Sequence, residues 1–426
     1  MSEAIDSANL EHPLITDPWS VPLEQVDPAR GELFRRDIVH SFFERLRSED
    51  PVHFHEDSLF GPYWSVTSYE HIKHVDMHHD VYSSASGISI FDGNADFRTP
   101  MFIAMDPPKH DEQRKAVAPV AGPRNLAMLE PDIRRRVCDI LDGLPVGEEF
   151  DWVQRVSIEL TTQMLAALFD FPFEERHKLT RWSDVATNGP ESGVVESIEQ
   201  RRTELLECLT RFTGLWHERA ARKEPGNDLI SMLAHGASTR DMVNRPMEYL
   251  GNLILLIVGG NDTTRNSISG GVLALNRYPE QYQKLRDSVS QADTSLIPNM
   301  VAEIIRWQTP LTHMRRTALA DTELNGKTIR AGDKVVMWYL SGNRDEKVFP
   351  KASDFVIDRG NARSHMSFGF GIHRCMGNRV GEMQLRVLWE EIMKRFHKVE
   401  VVGAAERTKH VFIRGFTRLP VRLIPK

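Results

Sequence analysis

The sequence predicts a mainly α-helical fold with small β-sheets at one edge, as a single domain over residues 1–426. Three observations carry this. Helical apolar periodicity recurs along most of the chain, whereas strand-like stretches are short and few. No Gly/Ser or Pro-rich linker, internal repeat or low-complexity block divides the sequence.

In chain order, the helical pattern covers 34–49, 109–118, 124–141, 152–169, 174–187, 193–222, 240–277, 279–289 and 296–307. A last amphipathic segment, 380–396, carries Leu385, Val387, Leu388, Ile392 and Met393. Strand patterns fall at 51–55, 62–66, 327–329, 334–338 and 398–401. Gly332-Asp333 reads as a hairpin-type turn between two of them. Asp106 is the expected N-cap of the helix near 109, with a proline in its first turn.

Composition narrows the function classes. The chain has 53 basic and 60 acidic residues, a net charge of −7, and so lacks the basic excess of a nucleic-acid binder. Cys138, Cys208 and Cys375 have no disulfide or zinc spacing, and the first two are expected as buried free thiols. Glu3, Asp6, Glu11 and Asp17 replace any apolar signal core at the N-terminus. The longest apolar run, Tyr249 to Val258, is too short to span a bilayer. A cytoplasmic protein without a membrane anchor is expected.

The chemistry concentrates in Phe368-Gly369-Phe370-Gly371-Ile372-His373-Arg374-Cys375-Met376-Gly377. Here one cysteine sits in a glycine-rich turn that opens a helix. A thiolate near a helix N-terminus gains from the dipole and from unpaired backbone N–H groups, which also tune a metal-bound sulfur. Glycines let the backbone approach a large planar ligand. Upstream, Leu255-Leu256-Ile257-Val258-Gly259-Gly260-Asn261-Asp262-Thr263-Thr264 passes from apolar residues to poor helix formers. That change is expected to open the hydrogen-bond ladder and leave a groove. His110 and Arg114 lie four residues apart on one helix face, and Glu303 and Arg306 three apart.

The cysteine loop resembles the haem-binding loop of the cytochrome P-450 superfamily, F-G-x-G-x-H-x-C-x-G, at all six fixed positions. Chance agreement anywhere in a chain this long is on the order of one in 10⁵. Further segments match in the right order, so the resemblance spans most of the chain. It implies haem b (iron protoporphyrin IX) ligated by Cys375, with Phe368 and Gly377 framing the sulfur and O2 as co-substrate. It also implies that His110, Arg114, Arg316 and His373 hold the propionates. Gly259 stands where alanine is more usual in the oxygen-binding notch and should widen it slightly. By the same resemblance, Thr263 handles dioxygen and Asp262 relays protons. Glu303, Arg306 and Arg359 are implied as a structural ion-pair network, and Asn343-Arg344-Asp345 with Phe349-Pro350 match a further family segment. Gly381 and Gln384 depart from the usual alanine and glutamate, on the helix behind the haem.

Within the superfamily, the phrases around Gly259–Ser267 and His365–Arg379 are similar to the soluble bacterial alkane and fatty-acid terminal (omega) hydroxylases. A small hydrophobic linear substrate is implied, with electrons from a ferredoxin and ferredoxin reductase. Arg374 and Arg379 could face such acidic partners. A terminal methyl C–H bond is stronger than its neighbours, so a narrow apolar funnel must present only the methyl. Candidate walls are Ile88, Ile90, Phe91, Leu255, Val258, Leu311, Met314 and Phe412. Alternative readings are a monooxygenase of terpene or aromatic substrates, a peroxide-driven haem-thiolate peroxygenase, and a haem gas sensor. The Asp262-Thr263 pair argues against the second, because peroxide needs no two-proton relay. The lack of a visible output segment argues against the third.

Overall fold

The computed structural model describes residues 14–93 and 95–426. The acidic Glu3, Asp6 and Glu11 therefore lie outside the described residues. Helices are α1 (Gly31–Arg35), α2 (Val39–Glu49), α3 (Tyr69–Met77), α4 (Lys109–Val117), α5 (Pro123–Asp142), α6 (Glu159–Phe169) and α7 (His177–Thr187). They continue as α8 (Ile198–Ala220), α9 (Leu229–His235), α10 (Pro246–Arg277), α11 (Pro279–Ser290), α12 (Leu296–Gln308), α13 (Tyr339–Gly342) and α14 (Asn378–Arg395). The mainly α expectation holds. Short α3, α9 and α13 were not legible in the periodicity, because nine, seven and four residues hold at most two turns or so of pattern.

Strands are β1 (Val52–His55), β2 (Tyr63–Val66), β3 (Tyr82–Ser83), β4 (Glu149–Asp151), β5 (Met314–Ala318) and β6 (Thr322–Leu324). After them come β7 (Lys327–Ile329), β8 (Lys334–Met337), β9 (Phe396–Val401), β10 (Glu406–Arg407), β11 (Phe416–Arg418) and β12 (Pro420–Pro425). The largest sheet runs β1-β2-β8-β5-β3, with β2 and β8 parallel and Trp64 opposite Val335. A second sheet, β4-β12-β9, joins the C-terminal strand to the strand after α14.

The hairpin expectation at Gly332-Asp333 is corrected. The hairpin is β6–β7, with Leu324 opposite Lys327. Its two-residue turn is Asn325-Gly326, both at positive φ (54° and 72°), as a type I′ turn requires. Gly332 also has positive φ, but it links β7 to β8, which pair with different strands. Asp333 instead accepts from the backbone of Arg330 (2.9 Å) and the indole of Trp64 (2.8 Å).

The largest apolar cluster gathers α5 to α12 and α14 around α10, with Leu250, Leu253, Ile257 and Ile268 of that helix buried. Two smaller clusters back the five-stranded sheet, one with Val335 and Met337 of β8 and one with Val336 and Trp338. Side chains alternate between the faces of a strand, so β8 serves both clusters. Among the described residues, no helix is long and apolar enough to cross a membrane.

Candidate active site

Cys375 lies two residues before Gly377, the N-cap of α14. Its own N–H donates to Phe368 O (2.7 Å), which closes the loop. Gly369 and Gly371 have φ of +64° and +62°. A Cβ at Gly371 would lie 2.6 Å from Asp76 O, so only glycine lets the loop pass α3 here. Cys375 is open to a cavity of about 1880 Å³. Burial of that wall pushes its thiol up, while the N–H groups of Gly377 and Asn378 and the charges of Arg114 and Arg374 pull it down. Those donors stabilise a thiolate once a metal displaces the proton.

Four polar groups gather beside this loop. His373 accepts or donates at Nε2 with Ser84 Oγ (2.7 Å), and its ring packs 4.4 Å from that of His110. Arg114 donates to Arg374 O (2.5 Å). Arg316 pairs with Asp76 (2.8 Å), which also accepts from Tyr339 Oη (2.8 Å) and Phe370 N (2.7 Å). Burial, with the charges of Arg316, His110 and Arg114 nearby, pushes His373 down to about 2. Arg114, Arg316 and His373 line the cavity, whereas His110 is buried behind His373 and is not on the wall. Nδ1 of His373 and Nε2 of His110 are buried and unpartnered.

On the opposing wall, α10 is an unbroken α-helix, so the expected opening of its ladder does not occur. Side chains bond back one turn instead. Thr263 Oγ1 donates to Gly259 O (3.0 Å), Asn266 Nδ2 to Asp262 O (2.8 Å) and Ser267 Oγ to Thr263 O (2.9 Å). The groove arises from missing side chains. A Cβ at Gly259 would meet nothing within 4 Å, whereas one at Gly260 would lie 2.7 Å from Leu165. Gly259 therefore opens the cavity and Gly260 lets α6 pack close.

Thr263 is on the cavity wall, but Asp262 is not. Asp262 is 1 % exposed and turns towards α7. Its Oδ1 accepts from Ser183 Oγ (3.1 Å) and Asn261 Nδ2 (3.2 Å) and pairs with Arg265 (2.9 Å). Its Oδ2 is buried and unpartnered. Burial raises its pKa against the pull of Arg265. No direct hydrogen bond joins Asp262 and Thr263 side chains among the described residues.

Of the expected wall residues, Ile88, Phe91, Leu255, Val258, Leu311, Met314 and Phe412 line the cavity. Ile90 does not. It is buried in the cluster behind the sheet, where its N–H donates to His313 Nε2 (3.1 Å), in a run of bends with no strand periodicity to set which residue faces the cavity. Gly381 and Gln384 also line the cavity. The Asp106 side chain does not cap α4: it accepts from Ser83 Oγ and from Ser84 N (3.2 Å), and Pro108 is the N-cap. Cys208 is buried as expected, while Cys138 is only half-buried.

Glu303, Arg306 and Arg359 form a buried core. Arg306 Nε and Nη2 donate to Glu303 (2.7 and 2.8 Å), and Arg359 Nε donates to both carboxylate oxygens (3.1 Å). The remaining guanidinium donors reach the carbonyls of Asn343, Ala352, Asp354, Pro350 and Lys351. Asn343 extends this network to Ser367 (2.8 Å) and Met366 N (2.8 Å), just before the cysteine loop. Asp76 and Ser84 were not legible in the sequence, because no local motif marks either one.

These features fit a haem on Cys375. The sulfur opens to a large cavity, two cationic side chains line it, two imidazole nitrogens await partners, and positive-φ glycines let the loop pass close against α3. Among known proteins, residues 131–420 match the cytochrome P450 family model. CYP153D17 from Sphingomonas sp. PAMC 26605 is 49% identical, with a TM-score of 0.87 over 94% of this chain and 100% of that one. Linalool 8-monooxygenase of Pseudomonas putida is 34% identical over 95% of this chain and 100% of its own length. The methyl-branched lipid omega-hydroxylase of Mycobacterium tuberculosis is 29% identical over 95% and 96%. The chain belongs to the cytochrome P450 family and is a monooxygenase of that family, with haem b as its cofactor and O2 as its co-substrate.

Proposed function

We propose that this monooxygenase, acting as one domain, hydroxylates the terminal methyl group of medium or long linear alkanes or fatty acids. Electrons then come from a ferredoxin and its reductase. The observation that carries the reading is the set of apolar residues, Leu255, Val258, Leu311, Met314, Phe412, Ile88 and Phe91, that line the same cavity as Gly259, Thr263 and Cys375. Similarity to a lipid omega-hydroxylase supports it.

Bound haem supplies the iron centre at which dioxygen is activated. Cys375 ligates it, and the N–H groups of Gly377 and Asn378 temper the electron release of the sulfur. Arg114, Arg316 and His373 hold the propionates, with His110 supporting His373 from behind. Gly259 leaves room for dioxygen, and the Thr263 hydroxyl turns from Gly259 O to donate into that space. Asp262, whose pKa burial raises, takes up a proton at its free Oδ2 and passes it to the cavity through a water or a side-chain rotation. The apolar walls exclude bulk water and hold the chain end-on, so the methyl carbon alone reaches the reacting centre. Glu303, Arg306 and Arg359 fix the cysteine loop from below. Exposed Arg374 and Arg379 offer positive charge to the electron donor.

An optical titration of the ferric holoenzyme tests the substrate class. Linear alkanes and fatty acids of graded length should give a saturable high-spin shift that peaks at one length. The linalool monooxygenase relative favours one second reading, a terpene substrate. A shift with terpenes but with no linear chain would replace the first reading by the second.

A further inference from the structure

Among the described residues, Arg202 is a cation without an anion. It sits in the second turn of α8, one turn after Ile198, and both line the cavity. Its guanidinium lies 5.7 Å from the ring centroid of Phe97, another cavity residue. Its Nε is buried and unpartnered, and among the described residues Arg202 makes no hydrogen bond or ion pair. Neighbouring arginines on this side are spoken for. Arg201 donates to Val185 O (3.0 Å) and Ala186 O (2.7 Å), and Arg265 pairs with Asp184 (2.7 Å) and Asp262 (2.9 Å). A buried donor left unpaired is costly, so an Arg held in place by an aromatic ring with its fork unused calls for an acceptor. The planar fork matches a carboxylate with two parallel hydrogen bonds.

We propose that Arg202 anchors the ionised carboxylate of a linear fatty acid, so that the opposite, methyl end of the chain is the one presented for hydroxylation. This rests on the linear-chain reading above and selects the fatty acid over the alkane. An apolar wall alone cannot tell the two ends of an alkane apart. A fixed cation on the cavity wall makes the two ends of a bound chain inequivalent and sets which carbon reaches the reacting centre.

The test is an optical titration of the ferric holoenzyme near neutral pH with dodecanoate, methyl dodecanoate and dodecane, where the free acid is ionised. The native chain should bind dodecanoate about tenfold or more tightly than its methyl ester, as a charge-assisted pair implies. In Arg202→Gln that ratio should collapse towards one, with dodecane affinity shifting far less than dodecanoate affinity. A ratio near one in the native chain, or an unchanged ratio in Arg202→Gln that still binds dodecane, overturns the anchor but not the linear-chain reading. Failure of all three ligands to bind the native chain, while a terpene does, overturns both. If Arg202→Gln does not retain haem, Arg202→Lys decides. Keeping the charge but losing the fork should lower the ratio several-fold, and an unchanged ratio overturns the proposal.

Discussion

Two buried polar regions flank the cysteine loop, and they differ in one respect. In the Glu303–Arg306–Arg359 core, both carboxylate oxygens and the guanidinium groups are met by a partner charge or a backbone carbonyl. On the cavity wall His373 Nδ1 and Arg202 Nε, and behind it Asp262 Oδ2 and His110 Nε2, are buried and left without one. The same residue types therefore do opposite jobs. A satisfied network fixes a backbone, whereas an unsatisfied one waits for a ligand or a proton.

The largest effect tests the centre between the two regions. Cys375→Ala should abolish monooxygenase activity and remove the thiolate signature from the spectrum of the reduced carbon monoxide complex. Retention of that signature would assign the ligand elsewhere. Next comes the structural core. Glu303→Ala leaves two buried guanidinium groups without their carboxylate and should cost about 3–5 kcal/mol in denaturant unfolding, with weaker haem retention. The cavity side should respond in the other currency. Asp262→Asn or Thr263→Ala should lower product formed per electron consumed by about 10²-fold, with much less loss of stability than Glu303→Ala. Equal destabilisation by Asp262→Asn and Glu303→Ala would break the comparison.

The smallest effect, for any one ring over one pH unit, is a pH dependence. Burial pushes His313 and His365 down to about 3 and His55 to about 4, from an ordinary 6.5. These rings are neutral in the folded chain, while the unfolded chain binds protons below about pH 6.5. Their contribution is thus complete above that pH and is lost as pH falls towards 3–4, by up to about 1.4 kcal/mol per pH unit for each ring. Thermal melts between pH 7 and 5 should show falling Tm, and His313→Gln should flatten the slope. A Tm constant over that range would mean that these rings protonate without unfolding.

Much of this was legible in the sequence where the signal is local. Six fixed positions in ten residues carried the cysteine loop, and long amphipathic stretches carried α5, α8, α10 and α14. Less was legible where position depends on distant backbone. Asn325-Gly326 had the stronger turn signal, yet Gly332-Asp333 drew the hairpin because it sits between the two better strand patterns. Ile90 could not be told from Ile88 and Phe91 until its sheet-side packing was known. The expected break in α10 did not form, because Thr263, Asn266 and Ser267 bond back to carbonyls one turn earlier without displacing the ladder. Arg202 carries no motif at all: only its missing partner marks it.

Regiochemistry tests the central claim most directly. The holoenzyme, with a ferredoxin, its reductase, reduced nicotinamide cofactor and O2, would be given dodecane and dodecanoate, and the products separated by gas chromatography with mass detection. Primary alcohol from the alkane and ω-hydroxy acid from the fatty acid, as the dominant products, are what the terminal-hydroxylase reading predicts. A spread of subterminal alcohols from both would contradict it.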